Sequence, residues 1–359
     1  MLRMGGSRAP VCRASSTQPR HTRAASVSHI VPCDAQLFPM LIGKGGANKR
    51  RLEEQSGARL YFNSAHPNTN APSPYTASSQ GSLGGDDCNS PCQSSTEDNV
   101  VVEAGSEAVA LAGKQLVCED IAQLRQSRIL PYNFFVSLPL VYPALTQSLQ
   151  ELQAGIMQLE GAAAAGLEPS LFTRPERMHL TVVPLKLYSD QQRRHALQVL
   201  DECGQQLREL LGEAPLEVQL VGLASMRSVP VEAMHVMYLK VKEVQLPGRL
   251  LQLFNLVTKA MLHAGLLLPE DDRKPIIHAT VMNTRYRADP GGEVGDSAAR
   301  STRRSLNVKR KPVNGTGLMA AFGDWDAGVI RLGEMHMSHM ESRDPVTGYY
   351  VCAARHPLS

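Results

Sequence analysis

The sequence predicts an α+β protein made of two consecutive units. The first is a small β-α-α-β-β-α module; the second is a larger domain of two β-α-β lobes related by a pseudo-twofold. Three observations carry this. Strand-like and helix-like segments alternate along the 359-residue chain. A glycine-rich turn, Gly43-Lys44-Gly45-Gly46, joins two short helices in the first unit. A strand motif, His-x-Thr, recurs at equivalent points of an internal repeat in the second.

In chain order, Val27 to Val31 reads as a short strand. Asp34 can N-cap a helix running through Ile42, although Pro39 falls inside it. After the glycine turn, a polar helix runs from Ala47 to Ser56, and Gly57 stands where a left-handed helix stop belongs. Ala58 to Phe62 is a strand. Residues 64–99 are rich in Ser, Asn, Gly and Pro and read as a disordered insertion. Val100 to Val102 resumes as a strand, and Ser106 to Gln126 as a helix. The first unit is expected over 26–128.

The second unit is expected over 131–359. Phe134 to Leu138 is a strand and Pro143 to Leu159 an amphipathic helix. A strand follows around His179 to Val183, then a helix from Asp190 to Leu211 capped by Ser189. Strands are expected at Leu216 to Leu223 and His235 to Val241, a helix at Gly248 to Ala264, and a strand around Ile276 to Met282. Asp289 to Gly317 reads as a long polar loop carrying Arg300, Arg303, Arg304, Lys309, Arg310 and Lys311. Val329 to Met340 and Tyr349 to Ala353 close the chain as strands. From Phe134 to His179 is 45 positions and from His235 to His278 is 43, each interval holding one long helix.

Composition sets bounds. Hydrophobic residues make up 43% of the chain, enough for real cores. No apolar run approaches the roughly 18 residues of a membrane helix, which argues against a membrane-embedded protein. A net charge of +3 is too small to imply nucleic-acid binding by itself. Seven cysteines do not make a disulfide scaffold, and a reducing compartment is the default. Cys88 and Cys92 have no matching His or Cys pair, so no zinc site is read there.

The chemistry concentrates in the repeat. In a strand, residues two apart share a face. His179 and Thr181 therefore point one way and Leu180 and Val182 the other; His278 and Thr280 repeat the arrangement against Ala279 and Val281. A pseudo-twofold would bring both pairs into one cleft. Two imidazoles across a phosphodiester suit acid–base cleavage, since one can take a proton and the other give one near neutral pH. The threonine hydroxyls can donate to phosphate oxygens, and Arg174, Arg177, Arg273 and Lys274 precede the motifs as a source of positive charge. No metal or other cofactor is required. His336-Met337-Ser338 is a weaker third echo, either beside the cleft or an ordinary surface histidine on a strand.

The segments Met178-His179-Leu180-Thr181-Val182 and Ile277-His278-Ala279-Thr280-Val281 resemble the two-histidine (2H) phosphoesterase superfamily. The resemblance implies that His179 and His278 are the acid and base and that Thr181 and Thr280 bind phosphate. The order β-α-GxxG-α-β-loop-β-α resembles a type I K-homology (KH) domain. It implies single-stranded RNA binding, with single-stranded DNA as the second option, through Gly43, Lys44, Gly45 and Gly46. Lys49 departs from the aliphatic residue common at its place in KH domains. The KH-then-2H combination resembles the subunits of that build in activating signal cointegrator complexes. This implies a nuclear assembly with a large helicase subunit, linked to transcriptional coactivation and DNA alkylation repair, and no membrane partner. A non-catalytic RNA-binding scaffold, whose 2H cleft only binds nucleotides or RNA ends, is the alternative.

Residues 1–25 carry Arg3, Arg8, Arg13, Arg20 and Arg23, and the first acid is Asp34. Two readings stay open, an organelle transit peptide and a disordered basic tail. The nucleus is the expected location, with a plastid or mitochondrion as the alternative.

Overall fold

The computed structural model describes residues 26–64, 98–127, 130–212, 214–226, 229–245, 247–268, 274–287 and 310–358. The basic N-terminal tail, most of the Ser/Asn/Gly insertion and the cluster Arg300 to Lys309 lie outside them.

The first unit runs β1 (Val27–Pro32), α1 (Phe38–Ile42), α2 (Ala47–Ser56), β2 (Arg59–Asn63), β3 (Asn99–Ala104) and α3 (Glu107–Gln126). Its sheet is antiparallel with order β1-β3-β2, as a type I KH arrangement requires. The central place of β3 explains its apolar run: Val100 and Val102 have no exposed surface. Pro39 is accommodated because the helix expected from Asp34 is two pieces. Asp34 caps a 3-10 turn over Ala35–Leu37, and α1 starts afresh at Phe38, which leaves Pro39 in a first turn where no amide donor is needed. Gly57 ends α2 at φ +72°.

The second unit contains β4 (Phe134–Pro139), α4 (Pro143–Met157), β5 (His179–Leu185), α5 (Asp190–Leu211), β6 (Leu216–Ser225), β7 (Val236–Glu243), α6 (Arg249–His263), β8 (His278–Asn283), α7 (Thr316–Phe322), β9 (Asp326–Leu332), β10 (Glu334–Arg343) and β11 (Tyr350–Pro357). All eight strands share one antiparallel sheet, order β11-β10-β4-β5-β8-β7-β6-β9. The repeat β4-α4-β5 and β7-α6-β8 supplies the middle four strands. The two lobes meet edge to edge at β5 and β8, and the pseudo-twofold passes through that seam. Helices α4, α5 and α6 present Leu149, Leu200 and Leu253 to the same core that takes Leu180 and Ala279.

Two sequence expectations are corrected. Val329 to Met340 is not one strand: it breaks at Gly333 into β9 and β10, which pair with β6 and β4 in opposite halves of the sheet. The expected polar loop ends in the first two residues of α7, a helix the sequence reading did not expect, which buries Leu318 and brings Phe322 against Gly155 of α4, where a Cβ would come within 2.8 Å of the ring. Seven residues are too few to show a helical period.

The two units are joined by more than a linker. Tyr188, from the loop after β5, is 2% exposed and packs in the KH core with Leu37, Leu41 and Val117. Its hydroxyl donates to the Pro131 carbonyl at 2.7 Å, and its own carbonyl accepts from Asp34 N at 2.9 Å. Arg193 of α5 pairs with Asp34 at 2.9 Å and also with Asp190. Lys186 donates to the Ser127 carbonyl just past α3.

Candidate active site

β5 and β8 each begin on the histidine of their motif. Burial follows the strand alternation. Leu180 and Ala279 are fully buried, whereas His179, Thr181, His278 and Thr280 are all partly exposed. At the seam, Leu180 pairs with Ala279 in antiparallel register. One residue to either side, His179 stands opposite Thr280 and Thr181 opposite His278. The four side chains occupy the corners of a quadrilateral on one face, imidazoles on one diagonal and hydroxyls on the other. In such a ladder the diagonal is roughly 7–8 Å, a gap that a phosphate can fill.

Both imidazoles are oriented alike. His179 Nδ1 lies 2.8 Å from the Arg177 carbonyl, and His278 Nδ1 lies 2.6 Å from that of Ile276. A carbonyl can only accept, so Nδ1 carries the proton in each, and in the neutral ring Nε2 holds the lone pair. Aromatic rings flank each one: Phe135 and Tyr350 stand 5.0 and 5.4 Å from His179, and Tyr238 stands 5.2 Å from His278. Burial lowers the His179 pKa to about 4. The bond to the Arg177 carbonyl opposes that shift, and the nearby His278 and Arg343 reinforce it. His179 is therefore neutral at physiological pH and able to accept a proton.

The register extends this face across the sheet. Ser137 opposes Thr181, and His336 opposes Ser137. His336 thus lies on the cleft face two strands away, but it is only 6% exposed and its Nε2 is 2.7 Å from Glu334, so it is not a surface histidine. Lys240 opposes His278 on the other side. Lys274 and Arg174 are exposed near the motifs, and Arg273 lies outside the described residues.

The glycine turn forms a second, separate feature. Gly43, Gly45 and Gly46 take φ of +73°, +58° and +77°. At Gly43 a Cβ would also come within 2.9 Å of Asn48 Cβ, so glycine is required there twice over. Asn48 Nδ2 donates to the Leu41 carbonyl and to Asp120 of α3, tying the turn to the helix behind it. Of its four cations, Lys49 pairs with Glu53, Arg51 pairs with Asp120, and Arg50 donates to the Gly45 carbonyl. Among the described residues Lys44 has no such partner; it is exposed and free to meet an anion.

Sequence reasoning singled out the four motif residues and the glycine turn. It missed Phe135, Tyr238, Tyr350 and Arg343, which come from neighbouring strands. No local pattern marks them; only strand pairing brings them to the histidines.

Comparison with known proteins identifies both domains. The model for the AKAP7 2′5′ RNA ligase-like domain matches residues 132–358, and the KH domain model matches residues 28–82. A curated relative, mouse activating signal cointegrator 1 complex subunit 1, is 28% identical over 188 residues, which are 52% of each chain. The chain thus spans about half the length of the curated relative it matches. Among solved structures, Escherichia coli LigT complexed with 3′-AMP is 16% identical, covers 64% of this chain and 99% of its own, and has a TM-score of 0.32. A protein of Thermus thermophilus is also 16% identical, covering 63% and 97%, with a TM-score of 0.35. By its match over most of its length, and by the paired histidine strands at the centre of its sheet, the chain belongs to the AKAP7 2′5′ RNA ligase-like domain family and carries a KH domain ahead of that domain.

Proposed function

We propose that this protein is a metal-independent 2H phosphodiesterase acting on RNA or on cyclic phosphate ends, guided by its KH domain. The observation that carries the reading is the pair of imidazoles at the β5–β8 seam, each with Nδ1 bound to a carbonyl and Nε2 free, and two hydroxyls on the crossing diagonal. His179 Nε2 takes the proton from the attacking hydroxyl or water. The new oxygen–phosphorus bond forms as the bond to the leaving oxygen breaks, and His278, which must enter the step with a second proton on Nε2, gives that proton to the leaving oxygen. Thr181 and Thr280 hold the non-bridging oxygens. Burial keeps His179 unprotonated at neutral pH, so its Nε2 lone pair is available for the base role. Gly43, Lys44, Gly45 and Gly46 hold the single strand, RNA or DNA.

The test is turnover of 2′,3′-cyclic nucleotides and short RNAs in excess EDTA. His179→Ala and His278→Ala should each lower the rate by roughly 10²–10⁴-fold. A double variant with undiminished turnover removes the reading.

The relative's name places that protein in an activating signal cointegrator 1 complex. We infer the same kind of assembly for this chain, with a large helicase subunit as partner, a nuclear location, and roles in coactivation and alkylation repair. A fluorescent fusion at the C-terminus tests the location. Accumulation in a plastid or mitochondrion overturns it.

A further inference from the structure

Arg343 stands beside His179 and Arg177 beside Arg343, and among the described residues neither is within ion-pair distance of a carboxylate. Arg343 ends β10, where a shift of register sets it opposite Tyr350 of β11. Its guanidinium carbon lies 4.0 Å from the centroid of the Tyr350 ring, and that ring stands edge-on to His179. Nη1 donates to the carbonyls of Met340 and Ser342 at 2.8 and 3.0 Å. This pins one corner of the fork. Nε is buried without a hydrogen-bond partner. That shielding leaves Nη2 as the donor open to an incoming oxyanion. The Arg177 guanidinium is close enough to act on both Arg343 and Tyr350. The carbonyl of Arg177 holds His179 Nδ1, and Arg177 Nε donates to the Gly348 carbonyl at 3.3 Å.

Arg51, Arg193 and Arg287 each have a carboxylate at 2.8–2.9 Å. Among the described residues neither Arg177 nor Arg343 has one within ion-pair distance. Glu341 acts on Arg343 only from beyond ion-pair distance, so an anionic ligand would add the close negative charge that neither guanidinium has. They stand on the His179 side of the cleft, away from His278. Under the phosphodiesterase reading above, on which this rests, that side holds the nucleotide whose ribose hydroxyl attacks. The scissile phosphate occupies its 3′ or 2′ position, so its other phosphate is on the 5′ carbon.

We propose that Arg343 and Arg177 form a subsite for the 5′-phosphate of the nucleotide on the His179 side. The cleft thereby favours a 5′-phosphorylated or internal RNA unit over one with a free 5′-hydroxyl. Arg343 is a specificity residue, stacked on Tyr350 so that its fork is fixed before the substrate arrives.

The test uses the full chain with Lys44→Asp and Gly45→Asp, so that the KH turn does not contribute. Three adenine dinucleotides, each 2′-O-methylated on the first ribose to block cleavage, are titrated by calorimetry: unphosphorylated, 5′-phosphorylated and 3′-phosphorylated. The 5′-phosphate should tighten binding by about tenfold or more, the 3′-phosphate by less than about threefold. In Arg343→Gln the 5′ gain should fall to within about twofold, and Arg343→Lys should retain part of it. A 5′ gain that survives Arg343→Gln in a folded variant overturns the subsite. So does an equal gain from the 3′-phosphate, or no gain in the parent. The readout is binding, so failure of the enzyme reading stays distinguishable: a chain that loses the 5′ gain with Arg343 yet never turns over substrate keeps the subsite and loses the chemistry.

Discussion

His179 shows how one residue answers to its strand and to its neighbours at once. Strand alternation turns it toward the cleft, the Arg177 carbonyl selects its tautomer, and burial with Arg343 nearby lowers its pKa to about 4. A base is active when deprotonated. The acid limb of the kcat/KM profile should therefore lie near pH 4, with activity lost as pH falls through that value. Arg343→Gln removes one cause of the low pKa, so the limb should move to higher pH when the profile is measured on a nucleoside cyclic phosphate. The same shift is linked to stability. The unfolded imidazole titrates near 6.5, so the folded state is at full strength above that pH and weakens as pH falls from 6.5 through about 4. Full protonation costs on the order of 3 kcal/mol. His339, whose pKa burial and the adjacent Arg193 also lower to about 4, adds to the same window. Urea midpoints measured from pH 7 to pH 4 should fall, and fall less in His339→Gln.

Among the elements, the turn between α1 and α2 depends most on residue identity. Gly43 is held at positive φ against Asn48, so Gly43→Ala should distort the whole G-x-x-G turn. Single-stranded RNA binding should weaken at least tenfold, while hydrolysis of a mononucleotide substrate is unchanged. Lys44→Ala should weaken binding more than Arg51→Ala, because Arg51 is already paired with Asp120. Fluorescence anisotropy with a short RNA measures both. Equal losses would show that the field at the turn is shared rather than concentrated on Lys44. The order of elements in this unit and the helix stop at Gly57 were readable in the sequence, because capping residues and glycines act locally. The break at Gly333 was not, because the strand texture continues across it and the two halves differ only in their partners.

For the whole molecule, the two units share a core residue. Tyr188 belongs by sequence to the second unit and by packing to the first. Tyr188→Ala should cost about 3–5 kcal/mol, the range for large buried aromatics. Hydrogen exchange should accelerate first in β1 and α3, whose Val31 and Ile121 line a cavity together with Tyr188. Unchanged protection in α3 would mean that the KH unit holds together without this contact. Asp34→Ala should act at the same junction more mildly, since it leaves Arg193 its second partner, Asp190. The glycine turn and the histidine seam are thus carried on one connected framework rather than on two tethered modules.

The chain's own pattern determined that there are two α+β units, where their helices start and stop, and which four side chains form the H-x-T pairs. Those features rest on period, caps and glycines, all of which act within a few residues. Tertiary structure decided the rest. The lobes meet edge to edge with Leu180 against Ala279, a single contact that places each histidine opposite the other motif's threonine. Tyr238 reaches the site from β7, and Phe135, Tyr350 and Arg343 arrive from β4, β11 and β10. Strand pairing joins residues far apart in the chain, and backbone hydrogen bonds are indifferent to side-chain identity. No local signal can therefore name the partner strand; only the burial of a whole sheet face selects it.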